Sequence, residues 1–174
     1  SVLKYYPASL LPNDVMIQVA SDNIFVKNLH FNGGQKAAWI IEILNNNRNI
    51  EIADCFIQGA EQSADTKVYA AGIRFREGMD GLYIHHCRFT NINASVTGIA
   101  RGIIGSGRIS PKKVIIENNI FYGITSAGAA TWDADQIVIQ EYTDSACIII
   151  LGNKHNNISK REQKLQSPGI HSDK

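Results

Sequence analysis

The sequence lacks an excess of charge of either sign. Its 174 residues carry 17 Lys and Arg against 16 Asp and Glu, which gives a formal net charge of +1. A near-neutral chain has no overall field that attracts nucleic acid, so no nucleic-acid partner is expected. No apolar run approaches the roughly 18 residues that a membrane-spanning helix needs, so no membrane insertion is expected.

Cysteine is scarce and odd in number, because the chain has only three. At least one thiol must stay unpaired within the monomer, which argues against a disulfide scaffold. A leader-like N-terminal pattern is also lacking, although the chain begins with Ser1 rather than Met. We therefore expect a mature form or part of a larger chain. Amphipathic helix periodicity is absent apart from a polar C-terminal tail, residues 159–174.

What the chain does contain is a repeat. Five segments share an apolar-x-apolar pattern at their second and fourth positions, and several add Cys or Asn at the seventh. They begin at positions 23, 49, 81, 113 and 147, so the spacing is nearly constant. Such self-similarity is typical of solenoids. The segments are Asn23-IFVKNLHFNG, Asn49-IEIADCFIQG, Gly81-LYIHHCRFT, Lys113-VIIENNIFYGI and Cys147-IIILGNKHNNI.

A second short alternating segment precedes each copy. Both kinds of segment are too short, and too rich in Ile, Val and Phe, to be helices. The pattern predicts an all-β fold, a right-handed parallel β-helix of about five to six coils over residues 1–158. Each coil would pair with the next at about 4.8 Å. A β-sandwich is the main alternative, but hairpin turns such as Asn-Gly are missing between the runs. The preceding segments are Val15-MIQVAS, Trp39-IIEIL, Gly72-IRFRE, Arg101-GIIGS and Asp135-QIVIQE.

The repeat resembles that of the pectate-lyase-like β-helix superfamily. That group includes polysaccharide lyases, glycoside hydrolases, epimerases, phage tailspikes and adhesins. The resemblance implies a polysaccharide partner, for which we expect an acidic glycan, and an extracellular, secreted or phage-virion location. It leaves open whether the chain cleaves a glycan as a lyase or glycoside hydrolase. The alternative is a non-catalytic structural or adhesive segment of a phage tail or cell-surface protein.

The segment from Gly81 carries a closer resemblance. Its "LYIHHCRF" is similar to the "vWIDHCxF" of family-1 pectate lyases, where the aspartate helps to hold calcium. His85 stands at the aspartate position, and imidazole is a poor ligand for a hard cation. We therefore expect no metal and no cofactor, with calcium not supported. Strand alternation points His85 outward and places His86 at the turn, so the two histidines face different directions. It also stacks Cys87 on Cys55, which we expect to be reduced, buried thiols, with a disulfide between them as the alternative.

Candidate catalytic residues come from two places. Asp133 and Asp135 flank the loop before the fifth coil, and two carboxylates can act as acid and base or nucleophile. Trp132 beside them offers an aromatic ring on which a sugar could stack. His85 is a candidate base for lyase chemistry. The structural alternative is an aspartate that caps a turn and a tryptophan that covers the core.

Candidate substrate-binding residues lie on outward strand positions. Arg74 and Arg76 could bind a uronate bidentately, with Glu42 and Tyr83 completing the surface. The alternative is that Glu42 forms a structural ion pair with Arg74 one coil away. Several outward positions are apolar, which predicts a cover: a homo-oligomer such as a trimer, or the remainder of a larger chain. These positions are Ile104, Ile115, Val138, Ile149 and Leu151.

Overall fold

The fold is a stack of five coils, each built from three short parallel strands, as the computed structural model shows. It describes residues 2–4, 15–62, 69–94, 99–126, 134–140 and 147–156. The predicted polar tail, residues 159–174, lies outside them. The strands are β1 (Val2–Lys4), β2 (Val15–Val19), β3 (Ile24–Lys27), β4 (His30–Ala37), β5 (Trp39–Ile43), β6 (Arg48–Ala53), β7 (Phe56–Gln62), β8 (Ala70–Phe75), β9 (Asp80–His85), β10 (Arg88–Ala94), β11 (Ala100–Gly105), β12 (Lys113–Glu117), β13 (Ile120–Ser126), β14 (Asp135–Ile139), β15 (Ile148–Leu151) and β16 (Lys154–Asn156).

Equivalent strands of successive coils form three parallel sheets. Sheet A has the order β1-β4-β7-β10-β13-β16, sheet B the order β2-β5-β8-β11-β14, and sheet C the order β3-β6-β9-β12-β15. Each strand pairs with the strand three places further along the chain, because one coil returns the backbone to the same sheet. The predicted parallel β-helix of about five coils is confirmed. Among the described residues, no helix is long and apolar enough to cross a membrane.

The core runs along the axis of the stack. On sheet A the register places Phe31, Ile57, Phe89 and Phe121 in one inward column. The rings of Phe89 and Phe121 stack with their centroids 4.8 Å apart. A Cβ on Gly102 would lie 2.5 Å from the Phe121 ring, so this position admits only glycine. Similar side chains at one-coil intervals therefore fill a narrow, largely apolar interior.

A left-handed turn separates each strand of sheet C from the following strand of sheet A. The residue at this turn has a positive φ in every coil, between 52° and 64°. Asn and Gly tolerate this conformation best, and other residues adopt it at some cost. The five turn residues are Asn28, Asp54, His86, Asn118 and Gly152. His86 is thus a turn residue, and strand alternation no longer applies to it.

The residue after this turn points inward and forms a ladder. Asn119 Oδ1 accepts the backbone N–H of Cys87 at 2.9 Å, and its Nδ2 donates to the carbonyl of Ile84 at 3.1 Å. Asn153 repeats both bonds one coil later, to the N–H of Asn119 and the carbonyl of Ile116. The side-chain amides therefore pair backbone groups that would otherwise be buried and unsatisfied at the corner.

Cys55 and Cys87 occupy the same ladder position in the second and third coils, and both are buried free thiols. Cys87 Sγ donates to the carbonyl of Ile52 at 3.5 Å, which is the bond an asparagine Nδ2 makes in later coils. The hydrogen bond to Cys55, followed by burial, raises the pKa of Cys87 above its ordinary value. The prediction of reduced, stacked cysteines agrees with this arrangement.

Candidate functional site

The arginines predicted to bind substrate lie on the outer face of sheet B, where they contact a buried carboxylate. Glu42 is only 1% exposed. Its Oε1 accepts a hydrogen bond from Arg76 Nε at 2.8 Å and lies 3.3 Å from Arg74 Nη1. Its Oε2 accepts a hydrogen bond from Gln18 Nε2 at 2.9 Å. The guanidinium of Arg74 also lies 4.1 Å from the centroid of the Trp39 ring. Both arginines are therefore already engaged within the fold, and the pairing of Arg74 with Glu42 is the one that the structural alternative predicted.

The aspartates of the candidate acid–base pair are only partly described. Trp132 and Asp133 lie outside the described residues. Asp135 opens β14 on sheet B, where its Oδ2 lies 2.5 Å from Nη1 of the buried Arg101. The register sets Asp135 opposite Arg101, whereas Arg74 is opposite Ile104, three residues further along β11. Asp135 and Arg74 thus share one sheet face but belong to strands two coils apart.

The histidine and tyrosine candidates lie on a different sheet. Tyr83 and His85 project from β9 on the outer face of sheet C, and their rings stack with centroids 3.9 Å apart. The predicted catalytic residues Asp135 and His85 therefore occupy different faces of the solenoid. Among the described candidates, the structure brings together two groups: Glu42 with Arg74 and Arg76, and Tyr83 with His85.

Two carboxylates that the sequence did not single out as site residues complete the group on sheet C. Glu51 is opposite Tyr83 in the register, and Glu117 is opposite His85. The contacts run diagonally, because Tyr83 Oη donates to Glu117 Oε1, and His85 Nε2 lies 3.2 Å from Glu51 Oε1. Lys27 Nζ lies 2.8 Å from the same Glu51 oxygen. Alignment of the repeats could have identified Glu51, because it occupies the same position in its segment as Tyr83 does in the next coil.

Hydrogen bonds within this group shift the pKa values of Glu51 and Tyr83. Hydrogen bonds from Lys27 and then His85 lower the pKa of Glu51 below its ordinary value. The hydrogen bond to Glu117, followed by burial, raises the pKa of Tyr83 to about 12. Glu51 is therefore an ionised acceptor and Tyr83 a protonated donor. A general acid at neutral pH would need a carboxyl with a raised pKa instead.

Exposed apolar side chains flank the group along the outer face of sheet C. Phe25 is 67% exposed and lies opposite Glu51 in the register. Ile149 and Leu151 at the other end of the sheet are exposed as well, as the sequence predicts. Ile104 is not, because it is buried in a small cluster on the outside of sheet B with Ala38, Trp39 and Ala71.

Three long connections follow β7, β10 and β13 of sheet A. Much of each, namely residues 63–68, 95–98 and 127–133, lies outside the described residues. Comparison of the chain with protein-family models, with curated proteins and with solved structures gives no match.

Proposed function

We propose that this chain is a polysaccharide-interacting β-helix protein whose glycan-binding surface is the outer face of sheet C around Tyr83 and His85. The supporting observation is the stacked Tyr83–His85 pair between two carboxylates, Glu51 and Glu117. Sugar rings present apolar C–H faces that pack on aromatic rings, and their hydroxyl groups donate to carboxylates. The exposed ring of Phe25 extends the aromatic surface along the same column.

The sheet geometry suits an extended ligand. Outward residues recur at the strand spacing of about 4.8 Å, so a chain of sugars lying across the strands meets a similar position in every coil. Membership of the pectate-lyase-like superfamily is part of the proposal. It is supported by the three parallel sheets and by the "LYIHHCRF" segment of β9 and its turn.

We favour binding without cleavage by the described residues. Asp135 and His85 lie on different sheets, and Asp135 is held by Arg101. The second candidate function is a structural or adhesive segment. The buried Glu42 favours it, because that carboxylate joins three neighbouring coils through Gln18, Arg74 and Arg76. Secretion or a virion location, and a trimeric assembly, stay predictions.

The experiment is a binding titration against a panel of neutral and uronic-acid oligosaccharides. Tyr83→Ala should lower the affinity for the tightest-binding oligosaccharide by at least about tenfold, since the aromatic contact and the orientation of Glu117 are both lost. Tyr122→Ala is the matched control, because this tyrosine is 41% exposed on sheet A. An equal loss in both variants, or no binding by the wild-type protein, would overturn the proposed surface.

Cleavage is tested on the same panel by following new reducing ends and unsaturated products. The wild-type protein should release neither. Product release that disappears in Asp135→Asn would show that the chain is an enzyme and that this carboxylate takes part. Circular dichroism of the variant is the folding control, because the substitution also removes the charge opposite Arg101.

A further inference from the structure

The two adjacent histidines converge, contrary to the expectation that alternation separates them. His86 has a φ of 52° at the left-handed turn, so its side chain does not follow the alternation of β9. The two rings meet edge to face at 84°, with centroids 5.1 Å apart. The Nδ1 atoms of His85 and His86 lie only 2.8 Å from each other. A pair of ring nitrogens this close either shares one proton or binds one cation.

The contact on the far side of His85 decides which nitrogen is available. Its Nε2 lies 3.2 Å from Glu51 Oε1, and a carboxylate accepts a hydrogen bond rather than donating one. His85 therefore carries its proton on Nε2 and keeps a lone pair on Nδ1. A carboxylate behind a ligating imidazole is the usual arrangement at metal sites, where it fixes the tautomer and raises the basicity of the ligand.

We propose that His85 and His86 form a two-nitrogen binding site for copper(II), with both Nδ1 atoms as ligands and Glu51 as the positioning residue. With metal–nitrogen bonds of about 2.0–2.1 Å, a separation of 2.8 Å corresponds to an angle of about 86° at the metal. That angle fits the tetragonal geometry of copper(II) better than the tetrahedral geometry of zinc. On binding, the proton of His86 moves from Nδ1 to Nε2, so two neutral imidazoles coordinate and no proton is released.

The remaining coordination positions belong to water. No group of three or more His, Cys, Asp or Glu side chains in the described part of the chain is placed to hold a metal ion. Asp54 occupies the same turn position as His86 one coil earlier, and its backbone N–H donates to the carbonyl of His85 at 3.2 Å. His86 is exposed, which leaves the site open to solvent. This inference goes beyond glycan binding and does not rest on it.

Copper(II) sulfate is the probe, and the test combines calorimetric titration with electron paramagnetic resonance. The wild-type protein should bind one copper(II) with an axial spectrum showing coupling to two equivalent nitrogens. His86→Asn should lose that spectrum and weaken binding by at least about tenfold, since one of two ligands is gone. Asparagine fits the turn, because Asn28 and Asn118 occupy it in other coils. The variant is therefore expected to fold normally.

Two further variants sharpen the result. Glu51→Gln should weaken copper(II) binding by roughly tenfold while the nitrogen coupling persists, because only the orientation of His85 is disturbed. His155→Asn removes a histidine from sheet A and should leave binding unchanged. Unchanged copper(II) binding in His86→Asn, or no binding in the wild type, would overturn the site. Neither result bears on the glycan titration, which depends on Tyr83.

Discussion

At the scale of single residues, Glu42 shows how a charge can be buried in a β-helix. Its carboxylate is removed from solvent, yet it faces two guanidinium groups and the amide of Gln18. An ionised carboxylate is tolerated in such a place only because several donors replace its water. The cluster therefore links β2, β5 and β8 and holds the arginine side chains on the outer face of sheet B.

Glu42→Gln should destabilise the protein by about 2 kcal/mol, which is less than the roughly 3–5 kcal/mol typical of a broken buried ion pair because Arg76 is partly exposed. Glutamine is neutral, so both arginines lose the negative charge that balances them. Its amide N–H also faces donor groups that need an acceptor. Thermal unfolding followed by circular dichroism should show a melting temperature lower by about 4–8 °C.

The control for Glu42 is Asp80→Asn at the first residue of β9 in sheet C. Asp80 pairs with Lys112 at 3.3 Å, but both side chains are well exposed. Exposed pairs contribute at most about 1 kcal/mol, so the melting temperature should hardly change. If the two variants have the same melting temperature, the cluster around Glu42 does not stabilise the fold.

At the scale of elements, the ladder after the left-handed turn holds successive coils in register. Asn119 is completely buried, and its amide bonds backbone groups of the coil before it, while Asn153 bonds Asn119 in turn. Because the partners are main-chain atoms, the ladder depends on the amide group rather than on the neighbouring side chains. Cys87 shows that a thiol can replace the hydrogen bond that the amide donates, but not the one that its oxygen accepts.

Asn119→Ala should cost about 2–3 kcal/mol, because it leaves the N–H of Cys87 and the carbonyl of Ile84 buried without their partner. The measurement is unfolding in urea. The urea concentration at the midpoint is compared between variant and wild type, provided that the slope of the unfolding free energy against urea is the same in both. Asn153→Ala is the matched variant, since it removes the same bonds at a partly exposed rung. It should cost clearly less, and an equal cost would contradict the importance of burial.

At the scale of the whole molecule, the inward column of sheet A changes in the fifth coil. The inward aromatic column of sheet A continues from Phe121 to His155, whose ring lies 5.7 Å from that of Phe121. A titratable side chain thus takes the inward position of the fifth coil, where it packs on Phe121 but is exposed on its other side. Burial lowers the pKa of His155 below its ordinary value.

This placement predicts a pH dependence of folding. The unfolded chain binds the proton of His155 at a higher pH than the folded chain does, because the pKa is lowered only in the folded state. Stability is therefore greatest above the unfolded pKa and falls as the pH drops below it. Lowering the pH from about 7.5 to about 5.5 should reduce the melting temperature.

The comparison variant is His155→Phe, which extends the column formed by Phe31, Phe89 and Phe121. It should melt at a higher temperature than the wild type and lose part of the decrease between the two pH values. A decrease of the same size in both proteins would assign the pH dependence to other groups.

The sequence by itself determined the fold, because the β-helix repeats its physical requirements in every coil. Alternating apolar residues, a turn residue that accepts positive φ, and Cys or Asn at the ladder recur at constant spacing, so five weak signals add to a strong one. The register followed from the same alignment, including the pairing of Glu42 with Arg74 and the stacking of Cys55 with Cys87.

Only the tertiary structure decided what the side chains contact. The alignment places Glu117 opposite His85, yet the carboxylate bonds Tyr83, while His85 turns to Glu51. Long side chains reach diagonal neighbours as easily as direct ones, and the repeat does not encode that choice. The contact between His85 and His86 could not be predicted from the sequence for a related reason. One backbone angle at His86 breaks the alternation from which their separation was predicted.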